Sequence, residues 1–532
     1  MKKKKFNLLL NIATLCLCIT AIAFGVYSAK TASLNVTGTI GFTAHNVKAK
    51  IEGFITNYAD SADGAIVTTD TQITADGGLA LNGGDASFNL GATKGTGTAT
   101  RYFSDLGTTG NPEDIIVKIK ITNTSDFDIL VNVDMANCKA TTTALENIIK
   151  VDYDKSAVVL AKNENTTFTF NIKLLPNADG SYGNTALTTP TSNNIQLKMN
   201  LEKSAYTQSQ VKTDAPIKQF TTTEIKSIKT GLGSASVQDN TYEYGDTYKC
   251  YAERYPYYIE MGERNNEKVK WLIVGAFNNN KVTALTDSDK TPLSQGYMLK
   301  DTTYVMLSEK VLYTESNTES TTNYGISFQN KYTNSGSYLN DYGYSAQDYA
   351  TSNIRNYLKG ADDVYRSYTY DSTTKQYSPD KSKSRVNLLT DYNLTSDPIY
   401  AKIQGRTLTS LYNESAITNE TKEMKTVPTT KSGYTAVNFT GNTEDKLWLL
   451  SQTEMEEIFK ADYVEGSRET HFYPVYMSSR TSVLGASSSA SWWLRSPCSY
   501  HYDYVSAVHK SSLLRPDVAY VDEYGSRAAF LF

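Results

Sequence analysis

Residues Ser491 to Pro497 read SWWLRSP and hold two of the four tryptophans of the chain. Neighbouring side chains on an extended segment point to opposite faces. One of Trp492 and Trp493 is therefore expected to anchor a core, while the other covers a second surface or a neighbouring strand. Arg495, two residues on, reads as structural, its guanidinium fork tying the Trp segment to backbone or to an acid. Trp492, Trp493 and Arg495 are thus expected to be scaffold.

Just downstream, Cys498 to Tyr504 reads CSYHYDY and Val518 to Tyr524 reads VAYVDEY. Tyrosine offers a large rigid face with a polar tip at little entropic cost, so this crowding of aromatic, acidic and imidazole groups resembles a binding surface more than a catalytic centre. The candidate ligand contacts are Tyr500, His501, Tyr502, Asp503, Tyr504, His509, Tyr520, Asp522 and Tyr524. The same pattern also fits an edge hairpin whose inward half is core.

Upstream of this stretch the chain falls into two kinds of sequence. Ala32 to Phe42 and Val47 to Ile55 alternate apolar and polar residues, as two strands would. Ile115 to Thr122 (IIVKIKIT) alternates strictly, Asn123 to Asp126 reads as a turn, and Phe127 to Val133 reads as the returning partner strand. A short strand at Ala86 to Leu90 and further ones at Val151 to Tyr153, Ala157 to Leu160, Thr166 to Leu175 and Ile195 to Leu201 continue the series. Many short strands with turn residues between them and almost no helical period predict an all-β antiparallel sandwich over residues 30–205. Residues 206–245 turn polar and read as a linker with a lead-in strand.

Residues 246–532 mix both periods. Tyr255 to Met261, Val269 to Val274, Lys281 to Leu285 and Met306 to Val311 are strand-like. Tyr349 to Leu358 is the clearest helix, with Thr351 or Ser352 as cap. Trp448 to Ser451 reads as a short buried strand, followed by a helix over Gln452 to Phe459 capped by Thr453.

The composition is that of folded material, with 40% hydrophobic and 20% charged residues, and 39 Tyr against 17 Phe suit exposed β-structure. Met1 to Lys5 reads MKKKK and an apolar run follows to about Val26, so residues 1–28 read as a secretory signal peptide or N-terminal membrane anchor. The lysines would stay inside the cell, which predicts an extracellular or cell-surface location for the rest. A product lacking these four lysines carries 48 basic and 56 acidic residues, a net charge of −8, so no nucleic-acid footprint is present. Contact with a membrane is expected only through the N-terminal segment, if uncleaved.

Two resemblances follow from these motifs. The lysine-rich start and the strand VTGTIGF resemble the opening of secreted β-sandwich proteins of the camelysin and biofilm-fibre type, which implies a bacterial exported sandwich able to associate through its strands. More specifically, a KWLIV strand, SNIRNYL, LWLLSQTEM and SWWLRSP occur in the order of the bacterial domain-of-unknown-function family 6273. That family is similar to the C-type-lectin-like fold of formylglycine-generating-enzyme type domains and of variable proteins diversified by retroelements. The resemblance implies a C-terminal α+β lectin-like domain whose last strands and loops display a ligand surface, and a reverse-transcriptase gene beside this one if the retroelement relation holds. Members often end in a segment like GVRPA; here Gly525 to Phe530 reads GSRAAF, so the last turn departs from the pattern.

Motifs of catalysis are sparse. Four His give neither H-E-x-x-H nor zinc spacing, and no G-x-S-x-G elbow, phosphate loop or dinucleotide fingerprint occurs in a strand-to-helix setting. His501 and His509 share a site only if a hairpin brings them together. Asp503, Asp517, Asp522 and Glu523 offer oxygens for calcium, but the lectin calcium motifs are missing, so no metal and no cofactor are expected. Cys138, Cys250 and Cys498 allow one bridge or three separate thiols. The expected function is exported ligand binding, adhesin- or receptor-like, with an extracellular glycan or protein as partner and no enzyme activity. The alternatives are a secreted enzyme whose site forms only in three dimensions, or a structural fibre subunit.

Overall fold

The computed structural model describes residues 35–59, 64–73, 78–90, 101–103, 113–146, 148–175, 193–213, 216–222, 224–225, 251–313, 325–328, 349, 352–366, 368–371, 373, 376–382, 385–408, 444–459, 463–465, 470–472, 491–497, 504–508, 513–518 and 524–532. It is rich in β-strand, with several sheets and few helices. Two compact units result: Met1–Ile217 with Pro292–Lys300, and Lys218–Thr291 with Asp301–Phe532. The expected signal or anchor segment lies outside the described residues, among which no helix is long and apolar enough to cross a membrane.

The first unit is built on β1 (Asn35–Thr56), which the sequence presents as two strands and the structure as one of 22 residues. Its inward side chains are Gly38, Ile40, Phe42 and Ala44, and then Val47, Ala49, Ile51, Gly53 and Ile55. The step of three between Ala44 and Val47 reverses the alternation, and a bulge sits there, with Asn46 in the left-handed region at φ 56°. Asparagine tolerates that conformation better than most residues. Ser125 closes the bulge, accepting from Lys48 N at 2.8 Å and donating to Lys48 O at 3.1 Å.

The other main strands of this sheet are β2 (Leu79–Asn89), β3 (Ile115–Asn123), β4 (Ile129–Val133), β5 (Ile149–Tyr153), β6 (Ala157–Leu160), β7 (Asn165–Leu174) and β8 (Asn193–Lys203), with two-residue strands at Thr71–Gln72, Arg101–Tyr102 and Lys139–Ala140. They run in the order β5-β7-β3-β1-β8-β4-β6, with β2 on the remaining edge of β1. One edge of β1 pairs with β8 before the bulge and with β3 after it. Ile119, Ile121, Phe168, Phe170, Leu197 and Met199, all fully buried, fill one continuous core with the inward residues of β1.

Two expectations change here. The pairing is not wholly antiparallel, because β1 and β8 run parallel. The hairpin of β3 with β4 does not form. A strand has two edges, and β3 spends both, on β1 and β7, so β4 pairs with β8 and β6 instead. Asn123 makes the crossing: its Nδ2 donates to Phe127 O at 2.8 Å and Leu160 O at 2.9 Å, and its Oδ1 accepts from Ser125 N.

Both faces of β4 and β6 are buried, which alternation alone does not explain. Leu130, Ala157 and Val159 face away from the main core and form a second cluster with Val211 and Tyr297. Tyr297 comes from much later in the chain, on a segment where Met298–Leu299 pairs with Val211–Lys212. Its ring meets that of Tyr206 edge-on at 5.8 Å. The N-terminal unit thus extends past the expected limit of residue 205.

In the second unit, β9 (Tyr257–Arg264), β10 (Glu267–Asn278), β11 (Tyr304–Ser308), β12 (Trp448–Leu449) and β17 (Ala528–Leu531) share a seven-stranded sheet. Trp271 is its central side chain, fully buried, donating from Nε1 to Met261 O at 2.8 Å and packing edge-on against Phe530 at 5.0 Å. A six-stranded sheet contains β13 (Trp492–Pro497), β14 (Tyr504–Val508), β15 (Leu513–Val518) and β16 (Gly525–Ser526). Helix α1 (Asn353–Leu358) starts later than the pattern suggests, with Ser352 as cap, its Oγ accepting from Arg355 N at 3.1 Å. Helix α2 (Gln452–Ile458) is capped by Ser451 rather than Thr453.

Asn46→Val is expected to destabilise the first unit by about 1–2 kcal/mol through left-handed strain, and Asn46→Gly, which enters that region without strain, to cost less. Tyr297→Ala is expected to cost about 3 kcal/mol by opening the second cluster. Urea unfolding followed by intrinsic fluorescence checks both.

Candidate functional site

Strand β13 carries the Trp pair between β14, to which it is antiparallel, and the short edge strand β16, to which it is parallel. Both indoles are fully buried on opposite faces, as strand geometry requires. Trp493 donates from Nε1 to Ile326 O at 2.9 Å and packs against Tyr524 and Phe328 at 4.6 Å and 5.8 Å. Gly325 is required beside it, since a Cβ there would lie 1.9 Å from Tyr524 O. Trp492 carries the guanidinium of Arg527 over its ring at 5.3 Å, while Arg527 donates through Nε and Nη2 to Ser308 O at 2.8 Å and 2.6 Å.

Arg495, 1% exposed, reaches the other way. It donates to Leu449 O at 2.8 Å and grips both carboxylate oxygens of Glu454, with Nη2 to Oε1 at 2.7 Å. Arg406 approaches the same carboxylate at 2.7 Å, its guanidinium over Trp448 and Phe277. Glu454 is also the third residue of α2, where its Oε2 accepts from Ser451 N at 3.0 Å while Ser451 Oγ accepts from Glu454 N at 3.1 Å. Two further bonds lock helix to strand: Arg495 N to Leu450 O at 3.0 Å and Gln452 N to Ser496 Oγ at 2.9 Å.

Burial alone would raise the Glu454 pKa. The two guanidiniums, the Arg495 hydrogen bonds and the Ser451 amide overcome it and hold the carboxyl at about 2. A second buried pair, Arg355 with Asp445 at 2.7 Å and 2.8 Å, ties α1 to the segment before β12.

The strand register sorts the candidate contacts. Pro497 pairs with Val505 and Tyr504 with Val518, so the end of β13, the start of β14 and the end of β15 lie together. Tyr500, His501, Tyr502 and Asp503 fall in the chain between β13 and β14, and Tyr520 and Asp522 between β15 and β16, all outside the described residues. Tyr504 opens β14 at that end. His509, also outside the described residues, follows the far end of β14, so a whole strand separates it in the chain from His501. Tyr524 is placed differently from a surface contact: it is 5% exposed and packed on Trp493.

Glu454, Arg406, Arg527 and the Arg355–Asp445 pair escaped the sequence reading. A signal existed for the first, since Ser451-Gln-Thr-Glu454 is an S-x-x-E capping box; Arg406 has no local signature. Among the described residues no cluster of three or more His, Cys, Asp or Glu could hold a metal ion. Cys138 is a buried free thiol, raised to about 12 by burial, with its sulfur bonded to the Lys198 backbone. Cys250 and Cys498 lie outside the described residues.

A family model described as a domain of unknown function (DUF6273) matches residues 304–532. The SNIRNYL, LWLLSQTEM and SWWLRSP motifs lie within that match, and the KWLIV strand precedes it in the same compact unit. No curated protein matches the chain.

Glu454→Gln leaves two buried guanidiniums facing a neutral amide and is expected to destabilise the second unit by about 3–5 kcal/mol in denaturant titration. The folded-state pKa of Glu454 lies below its unfolded value, so its contribution is complete above the ordinary carboxylate range and is lost as pH falls toward about 2. Acid unfolding monitored by tryptophan fluorescence should therefore lose part of its dependence between pH 4.5 and 2 in the Gln variant.

Proposed function

We propose that this chain is an exported, cell-surface or matrix-associated ligand-binding protein. The N-terminal unit serves as a β-sandwich stalk, and the C-terminal unit is a C-type-lectin-like receptor domain. Supporting this reading most directly is the contrast between the two ends of SWWLRSP. The strand itself is held by the Arg495–Glu454 pair and by Arg527 over the Trp492 ring, whereas the chain leaving its end carries Tyr500, His501, Tyr502 and Asp503, an aromatic and polar set suited to recognition. A rigid strand next in the chain to a recognition segment lowers the entropy cost of binding.

The partner is an extracellular glycan or a protein. Aromatic faces stack on sugar rings, and Asp503 and Asp522 can accept from hydroxyls. The lysine-rich, apolar N-terminal segment supports export, with an orientation that leaves the remainder outside the cell.

Glycan and protein arrays probed with the full chain should identify a ligand. Tyr500→Ala and Tyr502→Ala are then expected to weaken binding by roughly tenfold or more each, as central aromatic contacts do, without shifting the thermal unfolding of the protein. Unchanged binding in both variants would place the ligand elsewhere.

A further inference from the structure

The pairing of β1 with β8 carries a mechanical consequence. The two strands run parallel through nine consecutive residue pairs, from Val36↔Asn193 to Ala44↔Leu201. In a parallel pair the start of one strand lies beside the start of the other. The start of β1 and the end of β8 are therefore at opposite ends of the ladder, about 30 Å apart at roughly 3.3 Å per residue.

Tension between those two points runs along the strands and loads every interstrand hydrogen bond together. Tension between the two starts runs across the strands and breaks the bonds one after another. The ladder is also dry: Ile40, Phe42 and Ala44 of β1 and Ile195, Leu197, Met199 and Leu201 of β8 are all 3% exposed or less, so water does not compete for its bonds from the core side. The second edge of β1 is held by β2 over Thr39 to Ile51, and β3 takes over from β8 beyond the bulge. Sliding β1 along its axis therefore breaks its ladders with β8, β2 and β3 together, along with its short pairings to Thr71–Gln72 and Arg101–Tyr102. Gly38 adds a close fit, since a Cβ at that position would lie 1.8 Å from Leu90 Cδ1.

We propose that the N-terminal unit is a load-bearing element, in which β1 and β8 form a shear clamp resisting tension between the start of the sheet and the chain that leaves it. Resistance to forced unfolding follows the unfolding barrier for the direction of pull rather than equilibrium stability, so the clamp is a property of topology. Its biological use rests on the surface-display reading: a chain held by its N-terminal segment and by a bound ligand is pulled in this direction. The clamp itself does not depend on that reading.

Single-molecule force spectroscopy on the full chain tests it. Handles at Ser33 and Ala205 load the pair in shear; handles at Ser33 and Asn194 peel it from the starting end. At equal loading rate the first geometry is expected to rupture at a several-fold higher force than the second, although denaturant unfolding is the same for both. Equal forces, or a lower force in the first geometry, overturn the clamp. A chain that binds no ligand but ruptures at high force in shear keeps the clamp and loses the display reading. A chain whose binding depends on Tyr502 but whose two geometries rupture alike does the reverse.

Discussion

One carboxylate held between two guanidiniums organises the second half of this protein. Glu454 starts helix α2, receives both prongs of Arg495 from strand β13, and meets Arg406 from a segment otherwise distant in the chain. Three buried charges would be prohibitively costly if any stood alone. Replacing them by apolar residues of equal volume would be tolerated energetically in many cores, so their role is better understood as specificity: only one arrangement of helix, strand and loop satisfies all three. Trp492 and Trp493 then fill the spaces on either side of the strand that this arrangement leaves.

The first half is organised by a different constraint, the two edges available to each strand. β1 is long enough to serve two partners in succession on one edge, and the bulge at Asn46 turns its inward face so that the core remains continuous across the change. Because β3 is saturated by β1 and β7, the next strand is forced across to β8. This crossing is held by Asn123, whose amide nitrogen donates to the carbonyls of Phe127 and Leu160.

Much of this was legible in the residues. Strict alternation in Ile115 to Thr122 identifies β3 and its buried face, and the apolar runs locate β6, β7 and β8 to within a residue or two. The motif order around SWWLRSP points to the family model that matches residues 304–532. A structural Arg495 could be anticipated from its fork-shaped donor set, but its acid could not, because Glu454 lies 41 residues away and becomes a partner only when α2 docks. Tyr524 looked like its neighbours in a tyrosine-rich stretch, and its burial depends on Gly325 letting a backbone come close.

The sequence by itself determined periodicity, and with it which segments are strands, which face of each is apolar, and where the helices α1 and α2 are capped to within a few residues. These are local properties, set by side-chain alternation and by polar groups one turn away. Only the tertiary structure decided which strand lies beside which, that β1 and β8 run parallel, that Tyr297 completes a core begun by Leu130, and that Arg406 and Arg495 share one carboxylate. Those choices depend on the number of free strand edges and on the cost of leaving a buried charge or apolar face uncovered, which no window of the chain contains.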